Sequence, residues 1–423
     1  KHTNTVLIME MQKNMPQLRF PDFEGEWEKK KLGELSIINP TTVKLPNKFI
    51  YIDLESVTNG QLIKEEVVFK NEAPSRAQRV LEIEDILFQM VRPYQKNNLY
   101  FDKNGDYVAS TGYAQIKTKQ SSRFLYQYLH LQQFVDEVIE RCTGTSYPAI
   151  NSKDLAKISV SYPTLPEQQK IASFFTAIDK KITQLKQKKT LLEHYKKGAM
   201  QKIFSQQVRF KDDKGFEFPK WEKSKFNQIY SFRVTNSFSR DDLNYEEGDV
   251  KNLHYGDIHT KFNTLFDITK EEVPFIKPDV SIKRISSDNY CKTSDIVFAD
   301  ASEDLADVGK SIELVNLNDE KVLAGLHTIL ARPDVTKIAS GFGGYLMKSP
   351  EVRQQIMKIA QGSKITSISS TRLCDIELNT PCPDEQTKIA NFLSSIDVKI
   401  NQTRMQIEKA EVWKKGLMQQ MFV

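Results

Sequence analysis

Several short stretches of the chain carry side chains suited to reading or neutralising a polyanion. Ser75-Arg76-Ala77-Gln78-Arg79 precedes a β-rich run, Arg92-Pro93-Tyr94-Gln95-Lys96-Asn97-Asn98 follows it, and Ser110-Thr111-Gly112-Tyr113 comes soon after. Arg and Lys neutralise phosphates or bridge guanine, and Gln and Asn bridge adenine, each good bidentate contact contributing ~1–3 kcal/mol of discrimination. In the second half the corresponding places are Lys283-Arg284, the Asp300-to-Ser311 loop with Ser302 and Lys310, and His327. The candidate set is Arg76, Gln78, Arg79, Arg92, Tyr94, Lys96, Asn97 and Tyr113, with Lys283, Arg284, Ser302, Lys310 and His327. Any one of these could equally be a solvated surface residue, so the loops weigh more than their members.

Catalytic patterns are harder to find. Asp307-Val308-Gly309-Lys310-Ser311 ends like a phosphate-binding loop, but Asp304 stands where its first glycine belongs, and a surface turn fits better. Ser340-Gly341-Phe342-Gly343-Gly344 lacks a spaced GxGxxG and reads as a tight turn before a helix. Asn39-Pro40 continues as Thr41-Thr42, which is not the amino-methyltransferase signature, and the 6 histidines are scattered. There is no HExxH and no GxSxG elbow.

The elements that must position the candidate loops announce themselves by repetition. EQQKIASFFTAIDKKI begins at residue 167 and EQTKIANFLSSIDVKI at 385, a shift of 218 positions. The register continues through Lys196-Lys197-Gly198 and Lys414-Lys415-Gly416, and runs back to Gly144 and Gly362. Polar matches such as Gln168/Gln386 and Asp179/Asp397 exclude mere coincidence of apolar spacing. Apolar residues at 171, 175, 178, 182, 185, 192, 199 and 203 step by fours and threes, a heptad seam, and predict helices of about 40 residues and roughly 60 Å. Such a stripe needs a partner: the other copy, or each helix's own domain.

The division expected is a loose leader (1–15), a first globular domain (16–163), a central helix (164–205), a second globular domain (206–381) and a distal helix (382–423). Asp85-Ile86-Leu87-Phe88, Asp295-Ile296-Val297-Phe298 and turns such as Asn59-Gly60 make the globular parts α+β. Their openings rhyme: Arg19-Phe20 leads to Trp27, and Arg209-Phe210 to Trp221. Gly112-Tyr113-Ala114-Gln115-Ile116 answers Gly325-Leu326-His327-Thr328-Ile329 less clearly.

Composition agrees. Hydrophobic residues make up 39 %, with no run long enough for a membrane span, and the net charge of +5 permits nucleic-acid binding without demanding it. The 4 cysteines show no metal spacing and suit a reducing cytoplasm, with neither disulfide nor zinc expected. The central helix is rich in lysine, including Lys189, Lys196 and Lys197. Backbone contact with DNA, a solvated face and an acidic protein partner explain that equally well.

Leu165-Pro166-Glu167-Gln168-Gln169-Lys170-Ile171-Ala172, with Phe174, Ile178-Asp179 and a Lys/Gln-rich helix after it, resembles the central conserved region of type I restriction-modification specificity subunits. The second copy is similar to their distal conserved region. Arg19-Phe20-Pro21, Trp27 and Lys31-Leu32-Gly33-Glu34-Leu35 are similar to the start of a target-recognition domain, and the candidate loops resemble loops of such domains. The resemblance implies an α+β fold with two globular target-recognition domains separated by two long antiparallel helices in a pseudo-twofold repeat. It implies a non-catalytic subunit that binds double-stranded DNA at a bipartite target. Two adenine methyltransferase subunits, and restriction/translocase subunits in the full complex, would be its partners. No cofactor is expected on this chain; S-adenosylmethionine is expected on the methyltransferase. Helices of roughly 60 Å bound the unread gap at about 17 base pairs. The competing readings are a helix-pair adaptor whose domains bind protein, and a cryptic nuclease or methyltransferase.

Overall fold

The computed structural model describes residues 14–41 and 44–423, so all of the expected leader but Asn14 and Met15 lies outside the described residues. The two predicted helices are continuous, Leu165–Phe204 (40 residues) and Pro383–Met421 (39 residues), and are called here the first and second strut. The chain divides into two compact units: one holds the described residues up to Lys186 together with Met405–Val423, the other Gln187–Arg404.

In the first unit, strands Glu28–Lys31 and Ser159–Tyr162 pair antiparallel, so the domain closes on itself just before the strut begins. Between them lie two four-stranded sheets. One runs, in spatial order, Glu66–Phe69, Lys48–Ile52, Tyr107–Ser110, Ala77–Val80; the other Ser36–Ile38, Tyr113–Thr118, Ile86–Gln89, Leu99–Tyr100. Asn59 (φ 50°) and Gly60 (φ 73°) make the expected tight turn between Val57–Thr58 and Gln61–Leu62, a geometry open to Asn-Gly because both residues take positive φ. The apolar face of the strut, Ile171, Phe175, Ile178 and Ile182, enters the same core as Trp27, Phe124, Met421 and Phe422, with Leu417 and Met418 packed against it. Each large side chain buried this way contributes ~1.5–3 kcal/mol. The stripe therefore serves both expected partners at once, the domain and the other strut.

The second unit repeats the plan. Glu222–Lys225 pairs with Glu377–Thr380, and a five-stranded sheet runs Tyr230–Arg233, Thr328–Pro333, Ile296–Ala299, Ser311–Asn316, Leu265–Asp267. A four-stranded sheet (Leu243–Asn244, Phe275–Ile276, Lys251–Leu253, Val322–Ala324) shares a core with it, Leu253, Val322 and Ala324 meeting Val297, Ile312 and Leu330. Ile203 and Phe204 of the first strut and Ile389, Leu393 and Ile396 of the second enter one cluster with Phe226, Phe342 and Tyr345.

The polar repeats turn out to be clasps. Arg19 donates from Nε and a terminal nitrogen to the two oxygens of Glu167, both at 2.7 Å, and the Phe20 ring meets Phe174 edge-on at 5.8 Å. Arg209 grips Glu385 likewise, and Phe210 meets Phe392 at 5.7 Å. Gln168 accepts from Ser121 N (3.1 Å) and donates to Pro163 O (2.8 Å); Gln386 accepts from Ala339 N (2.8 Å) and donates to Pro381 O (2.8 Å). Asp179 accepts from Lys414 (2.7 Å) and Gln127 (2.8 Å), and Asp397 from Lys196 (2.6 Å) and Tyr345 (2.7 Å). In the first unit Lys186 also meets Glu411 at 2.7 Å; the partner of 179 is 414 and that of 186 is 411, so the strut segments run antiparallel.

Gly144 (φ 90°) and Gly362 (φ 127°) begin matching turns, closed by the bridges Thr143–Ala149 and Gln361–Ser367. At Gly362 an added Cβ would sit 1.9 Å from Ile365 O, so a side chain is excluded outright. One expected rhyme needs correction. Ala114 lies opposite Phe88 and Ile329 opposite Phe298, so the strands after 112 and 325 correspond two residues out of the expected register. A shift of two preserves the face each side chain occupies, which is why the sequences look alike in either alignment.

Candidate nucleic-acid interface

In the first unit the backbone brings two candidate stretches together: Thr111 N donates to Arg76 O at 2.9 Å, and Ser110 pairs with Ala77. Ala77 is buried and holds the segment down, leaving Arg76 and Gln78 exposed on either side of it, the alternation a strand imposes. Gln78 Nε2 donates to Ser75 O at 2.8 Å, which orients its amide. Arg79 is half-buried, and burial lowers its guanidinium pKa.

The 92–98 segment is a one-turn helix, Pro93–Gln95, flanked by two left-handed residues, Arg92 (φ 53°) and Lys96 (φ 54°). The Arg92 guanidinium lies over the Tyr147 ring at 4.2 Å, and Tyr94 is half-exposed at the tip. Lys96 Nζ donates to His130 O (3.1 Å) and Gln132 Oε1 (2.9 Å), and burial lowers its pKa. Asn97 Oδ1 accepts from Asn59 N at 3.0 Å. Lys96 and Asn97 thus shape the loop, while Arg76, Gln78 and Tyr94 reach outwards.

Tyr113 is a correction. Its ring is fully buried in the sheet core with Ile52, Leu87 and Phe101, and its hydroxyl donates to Asp53 O at 3.4 Å. It opens Tyr113–Thr118, whose first four residues are all buried, so it supports the loop and has no face open to a ligand.

In the second unit Lys283 and Arg284 are exposed at a turn whose flanks, Ile282 and Ile285, pack inward. The 300–311 loop is anchored by Ala301-Ser302 pairing with Thr366-Ser367, and Ser302 Oγ accepts from Asp304 N at 3.1 Å. Arg353 donates to the carbonyls of Ala306 (2.9 Å), Val308 (2.7 Å) and Gly309 (3.0 Å). The turn therefore offers carbonyls to a guanidinium, the reverse of a phosphate cradle of N–H groups. Lys310 Nζ donates to His259 O at 2.7 Å.

His327 (φ 55°) pairs through Nδ1 with Asp300 Oδ1 at 3.2 Å and meets Tyr255 edge-on at 5.4 Å; Tyr255 in turn lies 4.6 Å from the His254 ring. His259 Nε2 is 3.0 Å from Ala301 O. Three of the histidines taken as scattered thus converge on one loop cluster. His254 caps the short helix Tyr255–Thr260 and His259 lies in its last turn, while His327 directly precedes the strand Thr328–Pro333. Only the 254–259 spacing was visible in the sequence.

The glycine-rich 340–344 segment is filled by the protein itself. Buried Glu313 accepts from Gly341 N (2.5 Å) and Gly344 N (2.7 Å), and burial raises its carboxyl pKa to about 7. Among the described residues no group of three or more His, Cys, Asp or Glu is placed to hold a metal ion, and no helix is long and apolar enough to cross a membrane. What the two loop sets offer is exposed donors and cations on a rigid frame, suited to base edges and phosphates.

Known proteins answer to this arrangement. A family model described as the type I restriction modification DNA specificity domain matches residues 24–194 and 220–411. The type I restriction enzyme MjaVIII specificity subunit of Methanocaldococcus jannaschii is 25 % identical over 419 residues, covering 96 % of this chain and 93 % of that one. The type I restriction-modification S subunit of M. genitalium has the same fold, with a TM-score of 0.58 at 13 % identity over 97 % of this chain and 99 % of that one. A chain from a structural study of complex assembly and conformational transition of the type I R-M system gives 0.54 at 18 % identity, covering 94 % and 97 %.

Proposed function

This chain belongs to the type I restriction modification DNA specificity family, and from that membership we propose that each of its units reads one half of a split DNA target while partner subunits perform the chemistry. It is the sequence-specificity component of a restriction-modification system. The observation that carries the split-site reading is the contrast within each unit. The strut side of each clasp repeats at a shift of 218 (Glu167/Glu385, Gln168/Gln386, Asp179/Asp397, Lys196/Lys414) and its arginine and phenylalanine return at 209 and 210, whereas the solvent-facing loops do not repeat: Arg76, Gln78 and Tyr94 in one, Lys283, Arg284 and His327 in the other. Like frames carrying unlike loops suit two different half-sites.

The partners in this reading are two copies of an adenine methyltransferase subunit, which bring S-adenosylmethionine, and a restriction subunit in the full complex; the chain itself is non-catalytic. A matched pair of exposed aromatics supports two copies of one partner. Trp413, 54 % exposed, meets Phe174 at 6.2 Å, and Tyr195, 57 % exposed and 218 positions earlier, meets Phe392 at 6.5 Å. Exposed rings in apolar surroundings are what protein interfaces favour.

The test is methylation mapping by single-molecule sequencing of DNA from cells expressing this chain with its methyltransferase subunit, against cells expressing the methyltransferase alone. New N6-methyladenine at one split motif of fixed gap is expected. No new motif from an assembled complex would overturn the proposal in favour of a protein-binding adaptor.

A further inference from the structure

The second unit holds an open cleft of about 520 Å³ between the strut segments and the turn at 348–350, lined by none of the candidate recognition residues. Lys189, Lys196, Lys197, Lys348 and Arg404 line it, against Glu193 and Asp397. The two carboxylates are already engaged, Glu193 by Lys189 at 2.9 Å and Asp397 by Lys196 and Tyr345. Lys197, Lys348 and Arg404 are left as an excess of three cations.

Lys348 is the unusual member. Its Nζ donates to Thr264 Oγ1 at 2.7 Å, a neutral partner. Burial, helped by the charges of Lys196 and Lys310, brings its pKa down to about 8. An ammonium so placed gains most from a mobile anion that enters the cleft. Pro350, at the cleft's edge, opens the helix Pro350–Ile359, whose Arg353 grips the carbonyls of the 300–311 loop, so one helical turn joins the cleft to that candidate interface.

The first unit has a counterpart. Lys414 is spent on Asp179, as Lys196 is on Asp397, and Lys415 is exposed, as Lys197 is. In both repeats, then, the first lysine of Lys-Lys-Gly locks the struts and the second is exposed.

We propose that the cleft floored by Lys348 and rimmed by Lys197 and Arg404 seats a phosphate of the DNA backbone beside the half-site read by the second unit. This rests on the DNA-reading function and extends the interface from the loops to the strut helices. A phosphodiester suits the cleft because it offers acceptors only, which match the donors that line it.

The test uses the full chain and fluorescence anisotropy of a labelled duplex carrying the mapped target, against one with a scrambled half-site, at several salt concentrations. Each phosphate contact contributes about 0.9 to the logarithmic salt slope, or roughly 3–4-fold in affinity between 50 and 200 mM. Lys348→Gln should lower the slope by about one contact while leaving the target-to-scrambled ratio unchanged. Lys197→Gln with Arg404→Gln, both exposed and safe for folding, should do the same, and Lys197→Arg should retain the slope. Unchanged slopes in all variants would overturn the phosphate contact with half-site reading intact. So would unchanged slopes with a melting midpoint that inorganic phosphate raises in the parent protein but not in Lys348→Gln, since a free anion would then be the occupant. A parent chain that binds neither duplex would overturn the DNA-reading function itself.

Discussion

Removing Arg19 isolates a charge that the first unit has buried. Glu167 is 1 % exposed and takes both guanidinium bonds from Arg19, which is itself only 13 % exposed. The same guanidinium donates to Glu24 O at 3.0 Å and also to Gly25 O, so it ties the domain's first loop to the strut. Breaking a buried pair by deleting one partner typically costs ~3–5 kcal/mol, because the remaining charge is left unpaired. The arginine lies near the surface and water can replace part of it, which favours the lower end, about 3 kcal/mol. For a body of 150–250 residues this corresponds to a fall of roughly 6–12 °C in the melting transition. Calorimetry of Arg19→Ala should show that fall, and hydrogen exchange should speed up in Ser159–Tyr162, the strand that leads into the strut. The double variant Arg19→Met, Glu167→Met removes the orphaned charge and should recover most of the loss. A single variant that melts within ~1 kcal/mol of the parent, or a double variant worse than the single, would refute the clasp.

Two further outcomes follow from individual residues. Glu313 has its folded pKa raised from 4.5 to about 7, so the folded state holds the extra proton between those values and stability falls as pH rises through that window. The amount is on the order of 3 kcal/mol; Glu313→Gln should flatten the dependence of melting on pH between 5 and 7, and parallel curves for variant and parent would contradict it. Tyr113→Phe deletes only a long 3.4 Å hydrogen bond inside the core, so DNA affinity should stay within about twofold; a tenfold loss in anisotropy titrations would return Tyr113 to the interface.

The struts were legible in the sequence because a helix of 40 residues writes its burial as a period, and Ile171, Phe175, Ile178 and Ile182 are all buried as that period requires. The partner of the stripe was not legible, since apolar spacing says that a face is covered without saying by what. Which members of the candidate loops face solvent was not legible from residue type. Tyr113 and Arg76 both look like recognition residues by type, yet Tyr113 opens a strand whose first four residues are all buried while Arg76 lies in the exposed turn before Ala77–Val80, and that depends on where each strand begins and what covers it. The cluster of His254, Tyr255 and His327 was hidden because it joins residues more than seventy positions apart.

The same distinction accounts for what has changed between the two halves and what has not. The pair Asp179–Lys414 sits in the first unit and Asp397–Lys196 in the second, yet each takes its aspartate from one strut and its lysine from the other. Substituting the lysine in the first copy of the repeat alone weakens the second unit, and the reverse holds for the second copy. Every such position is therefore constrained by a partner 201 or 235 residues away, and the two copies cannot drift independently. Glu167 and Gln168, with Glu385 and Gln386, are held by another restriction, since each is buried and answers to its own domain. Arg76 and Lys283 answer to no residue across the repeat. Their side chains point to solvent, so a change there does not loosen the frame, which is the freedom a protein needs if its two halves are to recognise different sequences.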